Sequence, residues 1–129
     1  MANPNILVID DMRSDRTVVA AILAGGGYSV AVARDGWTAL DLLAEIPFDL
    51  AVVDYSMPGI NGVEMFRKAK ALRPALVGIF LTAHADINTI FPAMEVGIER
   101  VLAKPADARE LLAVVETLVG PGGGTHQAS

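Results

Sequence analysis

The chain contains no cysteine in its 129 residues. That absence excludes disulfide frameworks, thiolate zinc sites and cysteine nucleophiles together, and it agrees with a reducing compartment. Basic charge is scarce: Lys and Arg number 10 against 15 Asp and Glu, a net charge of −5. That balance argues against a nucleic-acid-binding surface covering the domain. Long apolar runs are missing too, since the longest, Ala75 to Ala83, is far too short to span a bilayer. The opening MANPN has neither a basic n-region nor an apolar h-region, so no signal peptide is expected. The 12 glycines follow no fixed period, and no solenoid-type repeat is present. With 53% hydrophobic and 19% charged residues, the chain has ample apolar material for one packed core and is not disordered. These features predict a single cytoplasmic domain with no membrane association.

What is present is alternation. Short apolar runs at Ile6–Ile9, Ser29–Ala33, Leu50–Val53, Val77–Leu81 and Arg100–Ala103 are separated by segments of helical period. Most runs are rich in Val, Ile and Leu without polar residues at every second place, as in strands covered on both faces. The first helix is predicted over about 14–24, with Val18, Val19, Ile22 and Leu23 on one face, stopping at Gly25-Gly26-Gly27. A second follows an Asp35 cap, with Trp37, Leu40 and Ala44 one turn apart, and Trp37 is expected to pack that helix on the sheet. A third starts near Asn61 and carries Val63 and Phe66. A fourth lies within 86–96, and a fifth runs from about Asp107 to Val119. Pro92 removes a backbone donor inside the fourth, so that helix is expected to start late, near Thr89 or Ile90, or to kink. Met57, Met65 and Met94 read as core or loop packing. Residues 120–129, opening Gly-Pro-Gly-Gly-Gly, read as a flexible tail after a domain over 1–119, and His126 within it is given no role.

Strand followed by helix, five times over, predicts a three-layer α/β fold with a parallel sheet and right-handed crossovers. Such a sheet binds ligands outside the carboxyl ends of its strands. The first polar residues after four of the apolar runs are Asp10-Asp11, Asp54, Thr82 and Lys104. Taken singly, each reads as a loop acid, a strand hydroxyl or a solvated lysine. Taken together, they place three carboxylates, a hydroxyl and an ammonium at one edge. Packed carboxylates repel unless a proton or cation intervenes. One lysine leaves a deficit that suits a divalent ion with hard oxygen ligands, Mg²⁺ above zinc. A carboxylate beside such a cation, a lysine and a hydroxyl can attack phosphorus and become an aspartyl phosphate.

These residues, in this order, resemble the receiver domain of two-component response regulators. The likeness runs from Ile6 to about Leu118 and includes Asp10-Asp11, the segment Val52-Val53-Asp54-Tyr55-Ser56-Met57-Pro58-Gly59, Gly62, Leu81-Thr82-Ala83 and Ala103-Lys104-Pro105. It implies a flavodoxin-like sheet of five strands in the order 2-1-3-4-5 with five helices. It implies that Asp54 accepts phosphate from a sensor histidine kinase or a histidine phosphotransfer protein. Mg²⁺ would lie on Asp11, Asp54 and the backbone carbonyl of Ser56, with Asp10 acting through water. Thr82 would move toward the phosphoryl group, Lys104 would pair with it, and the Lys104-Pro105 bond would be cis. The face made by the fourth helix, fifth strand and fifth helix would then bind an unknown downstream protein, without direct contact to nucleic acid. The chain would be a signalling domain and not an enzyme acting on other molecules. Ser56, Ala83 and His84 are candidate modulators, His84 reading equally as a solvated loop residue. Receivers often carry Tyr or Phe three residues before the lysine, where this chain has Val101; after Val119 only a tail is expected here, which suits a stand-alone regulator or the first part of a longer protein equally.

Two rival chemistries fail on particular residues. A haloacid-dehalogenase-type phosphohydrolase needs a second acid two residues after its nucleophile, but Met12 and Ser56 stand there. A flavin or nucleotide binder needs a glycine-bearing phosphate loop after the first strand, where this chain has Asp10-Asp11-Met12-Arg13. A scaffolding pseudo-receiver would be expected to lack one of the acids, the threonine or the lysine, and all are present.

Overall fold

The structure, a computed structural model, describes residues 3–123 apart from the Ile87 side chain; the expectations for 124–129, His126 included, lie outside them. The elements alternate throughout: β1 (Asn5–Ile9), α1 (Arg13–Gly25), β2 (Ser29–Ala33), α2 (Gly36–Glu45), β3 (Leu50–Asp54), α3 (Gly62–Leu72), β4 (Val77–Thr82), α4 (Ile87–Glu95), β5 (Arg100–Ala103) and α5 (Ala108–Val119). The strands form one sheet in the order β2-β1-β3-β4-β5, and all four pairings are parallel.

Side chains on a strand alternate between faces, and here the two faces bury two separate clusters. Leu7, Ile9, Val53 and Phe80 pack with Ala39, Leu43, Met65 and Phe66 of α2 and α3. Ile6, Val8, Val52 and Leu81 pack with Val19 and Leu23 of α1 and Leu111 and Val115 of α5. With both faces covered, β1 and β3 have no need of polar alternation, which is why they read as unbroken apolar runs. The helices start where a side chain can satisfy a free N–H: Asp35 accepts from Thr38, Asn61 from Glu64, Asp86 from Asn88 and Asp107 from Glu110.

Four expectations fail. Trp37 does not pack α2 on the sheet: it is 56% exposed, while Gly36, Ala39 and Leu43 are buried. The small residues let α2 approach closely, and the indole is left on the outer side. Val18 of α1 is likewise exposed, one step round from the buried Val19 and Leu23. Met94 is 64% exposed on the outer side of α4 and packs in no core. Finally, α4 starts at Ile87 and carries Pro92 inside it, so it does not start late. Its first turn is held by Asp86 and by the buried Thr89, whose hydroxyl donates to the His84 carbonyl at 2.7 Å. The carbonyl that Pro92 cannot bond is that of Asn88. The Tyr55 hydroxyl faces it at 3.5 Å, a long contact that partly replaces the missing donor.

The chain after α5 folds back under the sheet. Tyr28 donates its hydroxyl to the Gly120 carbonyl at 2.8 Å, and Gly122 is buried against the backbone of Gly26 and Gly27. Burial, with the nearby Glu116 charge adding to it, raises the phenol pKa, so the group stays a donor. Tyr28→Phe is expected to cost about 1 kcal/mol, the net value of one such bond; urea denaturation should show it as a lower midpoint with an unchanged slope.

Candidate functional site

Strand register brings the polar residues to one edge. Ile9 pairs with Val53, Asp54 with Leu81 and Thr82 with Ala103, so Asp10, Asp54, Thr82 and Lys104 occupy neighbouring ends. By the same alternation that builds the core, Asp10, Asp54 and Lys104 continue the rows of Val8, Val52 and Leu102, on the α1/α5 side. Thr82 continues the row of Phe80, on the other side. Backbone bonds tie the edge together: Tyr55 N–H donates to the Leu81 carbonyl at 2.9 Å and Lys104 N–H to the Thr82 carbonyl at 2.8 Å. The Lys104-Pro105 peptide bond is cis.

The Lys104 ammonium lies 3.1 Å from Asp10 Oδ2, 3.1 Å from Asp15 Oδ2 and 3.3 Å from Asp54 Oδ1. Asp10, Asp11 and Asp54 each offer a carboxylate oxygen within 4.8 Å of the others. Asp10 and Asp54 are 2% and 5% exposed, whereas Asp11 is exposed, so the cluster opens to solvent at Asp11. Asp10 is fixed by its own neighbourhood: Oδ1 accepts from Met12 N–H at 2.9 Å, and its backbone carbonyl accepts from the Arg16 guanidinium at 2.9 Å. Asp54 accepts from Ser56 N–H at 3.3 Å. Behind Asp54, Gly62 lets α3 approach β3, since a Cβ there would stand 2.9 Å from the Asp54 carbonyl oxygen.

The electrostatics follow from this crowding. Burial and the Asp10 charge raise the Asp54 carboxyl to about 7, with Lys104 opposing them. Burial works against the Lys104 charge, but its bonds to Asp10 and Asp15 outweigh it and hold the ammonium above its ordinary range. One cation thus serves the carboxylates of Asp10, Asp15 and Asp54, with Asp11 beside them. An all-oxygen donor set of excess negative charge fits a hard divalent cation.

Of the residues singled out in the sequence, Asp10, Asp11, Asp54 and Lys104 come together. Thr82 is buried at the adjoining strand end, where its hydroxyl oxygen accepts from His84 N–H at 3.1 Å. Ser56, Ala83 and His84 are exposed in the loops after β3 and β4. Asp15 was not anticipated. It lies in the first turn of α1, where an acid reads as a favourable helix-end charge. Its pairing with Lys104 appears only once α1 and the loop after β5 share one side of the sheet.

Residues 6–116 match the response regulator receiver domain family. The chain belongs to that family, the receiver module of two-component systems. It is 38% identical over 114 residues to the transcriptional regulatory protein ZraR of Escherichia coli (strain K12), a match that covers 88% of this chain and 26% of ZraR. The chain therefore spans about a quarter of that relative's length. Among solved structures it is similar to the chemotaxis protein CheY4 of Vibrio cholerae, with a TM-score of 0.87, 27% identity, and coverage of 92% of this chain and 100% of that one. It is also similar to a response regulator protein from Burkholderia pseudomallei with a phosphorylated aspartic acid, a calcium ion and citrate, with a TM-score of 0.80, 29% identity, and coverage of 90% and 66%. No helix of the described residues is long and apolar enough to cross a membrane.

Proposed function

We propose that this chain is a phosphoacceptor switch in which Asp54 takes a phosphoryl group from the phosphohistidine of a sensor histidine kinase or a histidine phosphotransfer protein. The observation that carries this reading is the buried Asp54 carboxylate facing Asp10 and ion-paired with Lys104 at 3.3 Å. An Asp54 oxygen attacks phosphorus, the bond from phosphorus to the imidazole nitrogen breaks, and its electron pair stays on the imidazole. Lys104 offsets charge on the transferring group, and the Thr82 hydroxyl donates to one of its oxygens. The carboxylates of Asp11 and Asp54 and the Ser56 carbonyl would hold Mg²⁺, with Asp10 acting through water. When bound, that ion neutralises phosphoryl oxygens and the repulsion among the acids. The phosphorylated aspartate and calcium ion of the Burkholderia relative support both assignments. The protein catalyses only its own phosphorylation and dephosphorylation, within the cytoplasm, and its output is a protein target.

Incubation with acetyl phosphate and Mg²⁺ tests the reading: intact-mass measurement should show one added phosphoryl group that hydroxylamine removes. No mass gain would overturn it.

The signal would leave through α4, β5 and α5. Phosphate draws Thr82 inward through a charge-assisted hydrogen bond. Val101 is short, branched and partly buried against the α2/α3 cluster, so it has no ring to swing into the vacated space. The change should then concentrate in residues 83–96. Thr82 already bonds His84 there, and α4 presents the exposed side chains of Ile90, Phe91 and Met94. Amide exchange on the protein with beryllium fluoride and Mg²⁺ should show altered protection across 83–96 and little at Val101. The reverse pattern would refute this route.

A further inference from the structure

The geometry points to Asp15 as a positioning residue that competes with the phosphoryl group for the Lys104 ammonium, an inference that rests on the phosphoacceptor reading above. An ammonium has three N–H donors. In the unmodified protein three carboxylate oxygens, from Asp10, Asp15 and Asp54, lie 3.1 to 3.3 Å from that nitrogen. Two donors are hydrogen-bonded, to Asp10 and Asp15, Asp54 adds an ion pair, and the ammonium sits where three attractions balance. Phosphorylation turns the Asp54 carboxylate into an acyl phosphate. Its charge moves outward to the phosphoryl oxygens, and Lys104 must move with it.

The three partners resist that movement unequally. The Asp10 side chain is 3% exposed and its other oxygen is taken by Met12 N–H, so of the three it is the one that solvent compensates least for a lost ammonium. Asp54 carries the new group itself. The Asp15 side chain is 45% exposed, so water can solvate its carboxylate when Lys104 leaves. Asp15 is therefore the exchangeable partner. It pulls the ammonium toward α1 in the resting protein and yields it when stronger acceptors arrive. The same exchange frees the first turn of α1 from the loop after β5, a link the switch through residues 83–96 does not contain.

Beryllium fluoride, a phosphoryl stand-in, titrated in excess Mg²⁺ and followed by ¹⁹F NMR, tests this. Asp15→Asn should tighten its binding by about three- to fivefold, the scale of a half-exposed ion pair. Asp15→Glu should return the affinity to within about twofold of wild type, because it restores the competing charge. In a Lys104→Gln background, Asp15→Asn should change nothing, since the competition runs through the ammonium. The NMR signals of the Lys104 side chain give a second readout that needs no lysine variant. They should shift on Asp15→Asn in the free protein, and move less on beryllium fluoride addition than they do in wild type. An unchanged affinity for Asp15→Asn, an equal gain in the Lys104→Gln background, or unmoved lysine signals would each overturn the proposal. If wild type itself takes up no beryllium fluoride, the phosphoacceptor reading falls with it. Uptake by wild type with no Asp15 effect sinks the competition alone.

Discussion

Asp54→Asn is expected to abolish phosphoryl uptake from acetyl phosphate and, in metal-free buffer, to make the protein more stable. The two effects have one origin. Asp54 is buried beside Asp10, and its carboxyl is raised from an ordinary 3.8 to about 7. The folded protein therefore binds this proton more tightly than the unfolded chain does. The stability so gained is fully present below about pH 3.8 and is lost as the pH rises through about 7. At pH 8 wild type carries the buried charge and the amide variant does not. The variant should be more stable by about 2 kcal/mol, less than the full shift would give, because water reaches the pocket through its open side. At pH 5 Asp54 is neutral in the folded protein but already ionised in the unfolded chain, so the gap should shrink to under half of its pH 8 value and close only below about pH 3.8. Excess Mg²⁺ should also narrow it at pH 8, since wild type gains more from binding the ion than a variant short of one carboxylate. Chemical denaturation at both pH values, with and without chelator, reads all of this. Wild-type labelling of the amide variant would place the acceptor elsewhere. A stability gain equal at pH 5 and pH 8 would show that the charge is not its cause.

Lys104→Met should be strongly destabilising in the opposite sense. The methionine keeps much of the side-chain volume, so the loss isolates the ammonium. Its removal leaves Asp10, Asp15 and Asp54 facing one another without the cation that each now contacts within 3.3 Å. Breaking a buried pair on one side costs about 3 kcal/mol because the partner charges stay behind. Lys104 itself is held above its ordinary 10.5, so its own contribution is fully present below that pH and lost only above it. Between pH 5 and 8 the variation therefore comes from the carboxylates. The penalty should be largest at pH 8 and shrink toward pH 5, as Asp54 takes up its proton. Equal stability of variant and wild type at pH 8 would mean that the attraction and the cost of burying these charges cancel.

Individual residues show why some features could be read in the chain and others could not. The ends of β1, β3 and β4 were legible because strands covered on both faces are continuous apolar runs, so Asp10, Asp54 and Thr82 stand out as the first polar residues. Caps were legible where a short polar side chain precedes an apolar period, as Asp35 and Asp107 do. Trp37 and Met94 were misread because a helical period shows which residues share a stripe, but the packing chooses which stripe turns inward. On α2 the small residues Gly36 and Ala39 won over the large ring. On α4 Ala93 and Thr89 are buried and Met94 is not. The late start expected from Pro92 fails because propensity counts the donor it removes, and not the Asp86 and Thr89 bonds that hold the first turn in place.

The sequence by itself determined the alternation of five strands and five helices and which polar residues follow the strands, because both depend on local periodicity and on neighbours a few positions away. Only the tertiary structure decided how those residues share charge. Lys104 meets Asp10 and Asp15 across 94 and 89 residues of chain. Nothing local to Asp15 distinguishes an ordinary helix-end acid from a partner of that lysine. Which acids reach one ammonium, and which of them water can also reach, is settled by strand order, by which sheet face α1 covers, and by how far each side chain lies from solvent.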